Sequence, residues 1–99
     1  MSRENGILKG ELKAPGGKLL KCELTLKKDI IATLKITGDF FLYPEEKITD
    51  LETCLLGCRI NLKNIQPILT FFFQHVELVG ATPQDFINLI MLTSKEKKE

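Results

Sequence analysis

The sequence predicts an α+β domain: a three- to four-stranded antiparallel sheet followed by about three helices packed on one face. Two observations carry this reading. As far as Thr37 the apolar residues recur at every second position, the period of a strand with one wet face. Beyond Pro44 they recur three and four residues apart, the period of an amphipathic helix. Strands first and helices afterwards is the order of an α+β fold. A chain of 99 residues fits one domain, 1–99, able to bury roughly two-thirds of its unfolded surface around one modest core.

The first strand spans Ile7 to Lys13, with Leu8 and Leu12 on one face and Gly10 marking a bulge or a close backbone approach. Ala14-Pro15-Gly16-Gly17 then forms a turn or loop. From Leu19 to Lys27, Leu20, Cys22, Leu24 and Leu26 alternate with Lys21, Glu23, Thr25 and Lys27. After the polar turn Lys28-Asp29 the alternation resumes, with Ile30, Ala32, Leu34 and Ile36 against Ile31, Thr33, Lys35 and Thr37. Such a pair is an antiparallel hairpin, and with the first strand it makes a meander. Asp39 to Leu42, after Gly38, extends it to a possible fourth strand.

Pro44-Glu45-Glu46 places a proline and two acids in a first helical turn, and Ile48, Leu51 and Leu55 follow at helical spacing as far as Gly57. A second helix is expected from about Asn64, with Pro67 in its first turn and Ile68, Leu69 and Phe72 inward, ending near His75. The last helix has the sharpest start signal in the chain. Thr82 caps it, Pro83 takes the first helical position and Asp85 the third, and Phe86, Ile87, Ile90 and Met91 face the core. Residues 95–99 have no apolar residue to bury, and they and residues 1–6 are expected to fray.

Lys and Arg total 14 against 13 Asp and Glu, so net charge draws the chain toward neither nucleic acid nor an anionic membrane. No apolar stretch approaches the ~20 residues of a membrane span. The polar opening Met1 to Asn5 does not lead into the apolar run of a secretory signal, so the cytoplasm is the expected compartment. Three cysteines, Cys22, Cys54 and Cys58, form no Cys-x-x-Cys pair and read as free thiols in a reducing compartment.

Catalytic chemistry needs a nucleophile with its base, paired carboxylates or a metal cluster, and the inventory for these is poor. His75 is the one histidine and reads as a helix-end residue, where a helix favours a cation. Cys54 and Cys58, four apart, invite a metal, but the third thiol lies on an inward strand face, so structural thiols are the better reading and no metal is expected. Glu45 and Glu46 suit a helix start, and Asp39, beside Gly38 and Phe40-Phe41, reads either as a turn carboxylate or as part of an interface. The segment Lys13-Ala14-Pro15-Gly16-Gly17-Lys18 is more suggestive. Adjacent glycines expose backbone N–H groups between two lysines, an arrangement able to meet a phosphate. Against this, it lacks the full P-loop spacing and precedes a strand, so a plain loop with solvated lysines stands beside the phosphate reading.

The run from Lys-Ala-Pro-Gly-Gly-Lys through Ile36-Thr37-Gly38-Asp39-Phe40-Phe41-Leu42, Pro44-Glu45-Glu46 and Leu51-Glu52 to Leu55-Leu56-Gly57 resembles the C-terminal domain of lipoate-protein ligases. Val79-Gly80-Ala81-Thr82-Pro83-Gln84-Asp85 suits that family's last helix. Tyr43 departs from the family, whose members often carry histidine in this segment. The resemblance implies a fold of the iron-sulfur scaffold (SufE/IscU-like) class. It also implies a separate accessory subunit, as in many archaea, non-catalytic alone and paired with a large catalytic subunit. That ligase joins lipoate to ATP, giving lipoyl-AMP, and passes the lipoyl group to acceptor domains such as E2 of 2-oxoacid dehydrogenases and the glycine cleavage H protein. ATP, Mg2+ and lipoate are then expected in the large subunit's site, with none bound by this chain alone.

Within that resemblance, Lys13, Pro15, Gly16, Gly17 and Lys18 are the expected phosphate-facing loop, Lys18 the better cation, and Gly38, Asp39, Phe40, Phe41, Tyr43 and Glu45 the expected interface. Two other readings stay open: an iron-sulfur scaffold, on the shared fold class and three cysteines, and a protein-interaction module with no ligase partner.

Overall fold

A computed structural model describes residues 7–95. Three strands, β1 (Leu8–Lys13), β2 (Leu19–Lys27) and β3 (Ile30–Gly38), form an antiparallel sheet in the order β1-β2-β3. Then follow β4 (Phe41–Tyr43), α1 (Lys47–Cys54), α2 (Leu62–Phe73), β5 (Glu77–Val79) and α3 (Pro83–Ser94). The expected fourth strand exists, but it leaves the main sheet. β4 pairs antiparallel with β5 in a separate two-stranded ribbon, Phe41 opposite Val79 and Tyr43 opposite Glu77. At three residues, β5 is too short for a period-two pattern to announce it.

The β2–β3 turn is the tightest kind. Lys28 and Asp29 both take positive φ, 54° and 67°, as a two-residue type I′ turn requires. One sequence expectation fails just beyond it. Thr25 pairs with Thr33 but Leu26 pairs with Ile31, so Ala32 is an extra residue in the ladder. This bulge exchanges the faces of β3 on its two sides: Leu34 and Ile36 point inward as expected, while Ile31 is buried in place of Ile30 and Ala32. Simple alternation cannot see such an insertion. At Gly10, by contrast, the ladder is regular, and a close approach is what the glycine serves. A Cβ there would collide with the Thr93 Oγ1 and stand 3.0 Å from its Cβ.

The outer edge of β3 is covered. Ile31 exchanges bonds with the segment after α1, its N–H donating to Cys58 O at 2.9 Å and its carbonyl accepting from Gly57 N–H at 2.9 Å. Ile60 N–H donates to Asp29 O at 2.8 Å. Farther along, Ile36 N–H donates to the Glu52 carboxylate at 2.9 Å. The segment can reach β3 because Gly57, at φ +84°, reverses the chain where the helix stops.

The starts of α1 and α2 differ from expectation by a few residues. Pro44, Glu45 and Glu46 precede α1 as a run of i→i+3 turns whose carbonyls accept from Lys47, Ile48 and Thr49. α2 begins three residues early: the Asn61 side chain accepts from Asn64 N–H at 2.9 Å, which makes Asn61 the cap and leaves Pro67 inside the helix. α3 starts as expected, with a reciprocal capping box between Thr82 and Asp85 and Pro83 in first position. Lys95, expected to fray, donates its N–H to the end of α3. The other terminal residues expected to fray lie outside the described residues.

The core forms between the inner sheet face and the helices. Leu20, Leu24, Ile31 and Ile36 of the sheet meet Leu51 of α1, Ile65 and Leu69 of α2, and Phe86, Leu89 and Ile90 of α3, with Leu55 just after α1, all fully buried. Each contributes about 1.5–3 kcal/mol of hydrophobic stabilisation before conformational entropy is set against it. Phe86 is the hub, with Phe40 edge-on at 5.0 Å and Phe73 at 5.2 Å between ring centres.

Candidate functional site

Antiparallel pairing gathers two of the segments singled out in the sequence at one end of the sheet. Lys13 ends β1 opposite Leu19, and Gly38 ends β3 opposite Leu20. Asp39 N–H donates to Leu19 O at 2.9 Å, so the glycine-lysine turn and the Gly38-Asp39 segment share β2 as their common support. Gly38 permits this crossing. At its φ of +147° a Cβ would stand 2.9 Å from Leu20 Cα and collide with the Leu19 carbonyl.

The turn is anchored at its root and open at its tip. Ala14 is 3% exposed, its N–H donates to Lys18 O at 2.7 Å, and its carbonyl accepts from Gly17 N–H at 3.0 Å. Gly16 and Gly17 hold φ +91° and +85°, and nothing lies within 4 Å of a Cβ placed on either. The positive φ explains the glycines, and the open space lets another surface come close. Lys13, Pro15 and Lys18 are all exposed. Only part of the amide cradle read from the sequence is free, since Gly17 N–H is held in the turn. What the loop presents is an open turn of two positive-φ glycines flanked in sequence by exposed Lys13 and Lys18.

Next to this turn the chain alternates in and out along β4. Phe40 turns inward against Phe86 and Leu42 is buried, whereas Phe41 is 59% and Tyr43 46% exposed. Phe40 therefore packs the core, and the aromatic surface belongs to Phe41 and Tyr43. Their cross-strand partners continue it, Val79 being 44% exposed opposite Phe41. Asp39 and Glu45 are exposed at its margins. Sequence reasoning missed Val79, because the ribbon that places it there is invisible in so short a strand.

A second concavity was not anticipated. α1 and α2 enclose an apolar cleft of about 560 Å3 whose lining includes Cys54, Pro67, Ile68, Phe71 and Phe72, with Lys47 and Asp50 paired at 3.3 Å on its rim. His75 also lines it, its Nδ1 donating to the Phe71 carbonyl at 3.0 Å and its ring 4.7 Å from that of Phe71. The signal that could have found it is Phe71, apolar on the outward side of an amphipathic helix and 65% exposed.

All three cysteines are free thiols. Cys22 is buried in β2, and burial pushes its thiol up to about 11, partly opposed by a hydrogen bond with Thr93. Burial likewise pushes Cys54 up to about 11, and its Sγ donates to Leu51 O at 3.1 Å. Thiols held protonated are poor nucleophiles and poor metal ligands. Among the described residues no three His, Cys, Asp or Glu side chains come together to hold an ion, and no helix is long and apolar enough to cross a membrane.

Residues 8–90 match the model of the family described as the bacterial lipoate protein ligase C-terminus. A relative from Thermoplasma acidophilum named lipoate-protein ligase A subunit 2 is 38% identical over 72 residues, 73% of this chain and 76% of the relative. The fold superposes with a TM-score of 0.76 and 32% identity on a solved chain, covering 86% of this chain and 94% of that one. That structure is described as a bi-partite lipoate protein ligase and its E2 lipoyl domain, also from Thermoplasma acidophilum. With the family model matched from β1 into α3 and the same α+β architecture in a solved relative, this chain belongs to the lipoate protein ligase C-terminal domain family.

Proposed function

We propose that the chain is the accessory subunit of a two-part lipoate-protein ligase, acting with a separate catalytic subunit in the ATP-dependent activation of lipoate to lipoyl-AMP. The observation that carries this is the extent of the match. The chain spans nearly the whole of a solved chain from a bi-partite ligase. ATP, Mg2+ and lipoate accordingly belong to the catalytic subunit's site, and the E2 lipoyl domain and the glycine cleavage H protein are partners through that subunit.

Lys18, with Lys13 at the other end of the turn, faces the nucleotide phosphates across the subunit boundary. Adenylation builds negative charge around the α-phosphoryl centre as pyrophosphate leaves, so a cation delivered from outside lowers that barrier. The later attack by an acceptor lysine needs an accessible site, and a separable subunit suits both steps. Phe41, Tyr43 and Val79, next to the loop, form the docking surface that brings the lysines into reach.

The test is lipoyl-AMP formation by the catalytic subunit with ATP, Mg2+ and lipoate, with and without this chain. Adenylation is expected to depend on the chain, and equal rates in its absence would overturn the proposal. Lys18→Ala should lower the adenylation rate roughly ten- to hundredfold, the scale of one charge-assisted contact. An unchanged rate at normal subunit affinity would remove the loop from the reaction while leaving the accessory role intact.

A further inference from the structure

The two edges of the main sheet are treated differently. β3 is closed by residues 57–60 and by the Glu52 carboxylate, whereas among the described residues no backbone hydrogen bond reaches β1 from any strand or loop other than β2. An open edge presents unpaired N–H and C=O groups and invites another strand. The residues on this one say which strand fits.

We propose that β1 pairs antiparallel with β1 of a second copy of this chain, joining two three-stranded sheets into one of six strands about a two-fold axis at Gly10. The segment Leu8-Lys9-Gly10-Glu11-Leu12 complements itself when reversed. With Gly10 opposite its counterpart, Lys9 faces the second copy's Glu11, Glu11 faces its Lys9, and Leu8 faces its Leu12. The register also keeps the faces aligned: Leu8 and Gly10 are buried and Leu12 half-buried, while Lys9 and Glu11 are exposed.

The same alternation already runs across each sheet. Lys9 stands opposite Glu23, which stands opposite Lys35, and Glu11 stands opposite Lys21. Pairing at Gly10 continues both rows with the correct sign, so that one reads Lys35, Glu23, Lys9 and then the second copy's Glu11 and Lys21. Opposite charges directly across a ladder stabilise the pair, and like charges disfavour it. Proline and a bulge, two devices that keep an edge from pairing, are both missing from β1, whose ladder with β2 is regular throughout.

The experiment measures the mass of the full chain by light scattering or sedimentation over a concentration series. The unaltered chain should approach twice its monomer mass as concentration rises. Lys9→Glu places two acids opposite two acids, and Glu11→Lys two lysines opposite two lysines, so each variant alone should associate at least about tenfold more weakly. Mixed in equal amounts they regain both opposite-charge pairs, and the dimer should return. A misfolded variant could not be rescued in this way. An unaltered chain that remains a monomer, variants that dimerise as well as it does, or a mixture that fails to recover would each overturn the proposal. An edge that instead binds the catalytic subunit, shown by loss of that affinity in Lys9→Glu without any self-association, would overturn it too. None of these results depends on ligase activity, so the accessory-subunit reading stands or falls separately.

Discussion

Glu52 closes the edge of β3 by accepting from Ile36 N–H at 2.9 Å from one turn of α1. A carboxylate accepting from a backbone amide makes a charge-assisted bond, and removing it leaves a partly buried donor unmet. Glu52→Ala should therefore cost about 1–3 kcal/mol in chemical denaturation, and Glu52→Gln, which keeps an acceptor oxygen, clearly less. Equal losses would show that packing, not the hydrogen bond, is what the side chain supplies. Cys22 gives a second residue-scale expectation. Its folded thiol titrates at about 11 against an ordinary 9.0 because burial disfavours the thiolate. Below pH 9 both states keep the proton and the group adds no pH dependence; from there upward the unfolded chain loses its proton first, so stability falls. The slope approaches 1.4 kcal/mol per pH unit before flattening above the folded value. Denaturation at pH 8 and pH 10 should differ by about 1 kcal/mol more in the unaltered chain than in Cys22→Ala. The inward position of Cys22 was legible in the alternation of β2, whereas the role of Glu52 was not, since a carboxylate bonding a strand amide sixteen positions away leaves no periodic trace.

Elements whose determinants are local were legible. Thr82, Pro83 and Asp85 specify the start of α3 within four residues, and the helix begins where read, closed by a capping box with Thr82 Oγ1 accepting from Asp85 N–H at 3.2 Å and the Asp85 carboxylate accepting from Thr82 N–H at 2.9 Å. Thr82→Ala should destabilise the protein by about 1 kcal/mol, measured as a lowered denaturation midpoint at constant slope, while Thr82→Ser should be nearly neutral. Where tertiary contacts overrule local preference, sequence reading slipped. Asn64 looked like the start of α2 with Pro67 in its first turn, yet the Asn61 side chain caps the helix three residues earlier and leaves Pro67 inside it. The Ala32 bulge slipped for a related reason: Ile30 and Ile31 are both apolar, so alternation alone could not decide which of them faces the core, and the anchoring of Ile31 to Gly57 and Cys58 decides it.

At the scale of the whole molecule the residues named from sequence as the loop and most of those named as the interface fall beside one another, because the meander returns Lys13, Leu19 and Gly38 to the same sheet end. The distinction between Phe40 and Phe41 was not legible, since it depends on which face of a three-residue strand meets Phe86. Two apolar surfaces compete as the place where the proposed catalytic subunit would dock: the ribbon bearing Phe41, Tyr43 and Val79, and the α1–α2 cleft bearing Phe71. The ribbon is favoured because β4 follows directly from Gly38 and Asp39, at the sheet end where the lysine loop sits. If Lys18 is to reach phosphates on another chain, that chain must cover this end. Phe41→Ser with Tyr43→Ser should thus weaken subunit affinity roughly ten- to hundredfold, as loss of aromatic contacts at an interface centre does. Both side chains are largely exposed, so thermal stability of the isolated chain should hardly move. Phe71→Ser, equally exposed but on the cleft, should leave affinity within about threefold, a difference under 1 kcal/mol. The opposite pattern in titration calorimetry would transfer the docking face to the helices, and with it the requirement that the glycine-lysine turn approach the nucleotide at all.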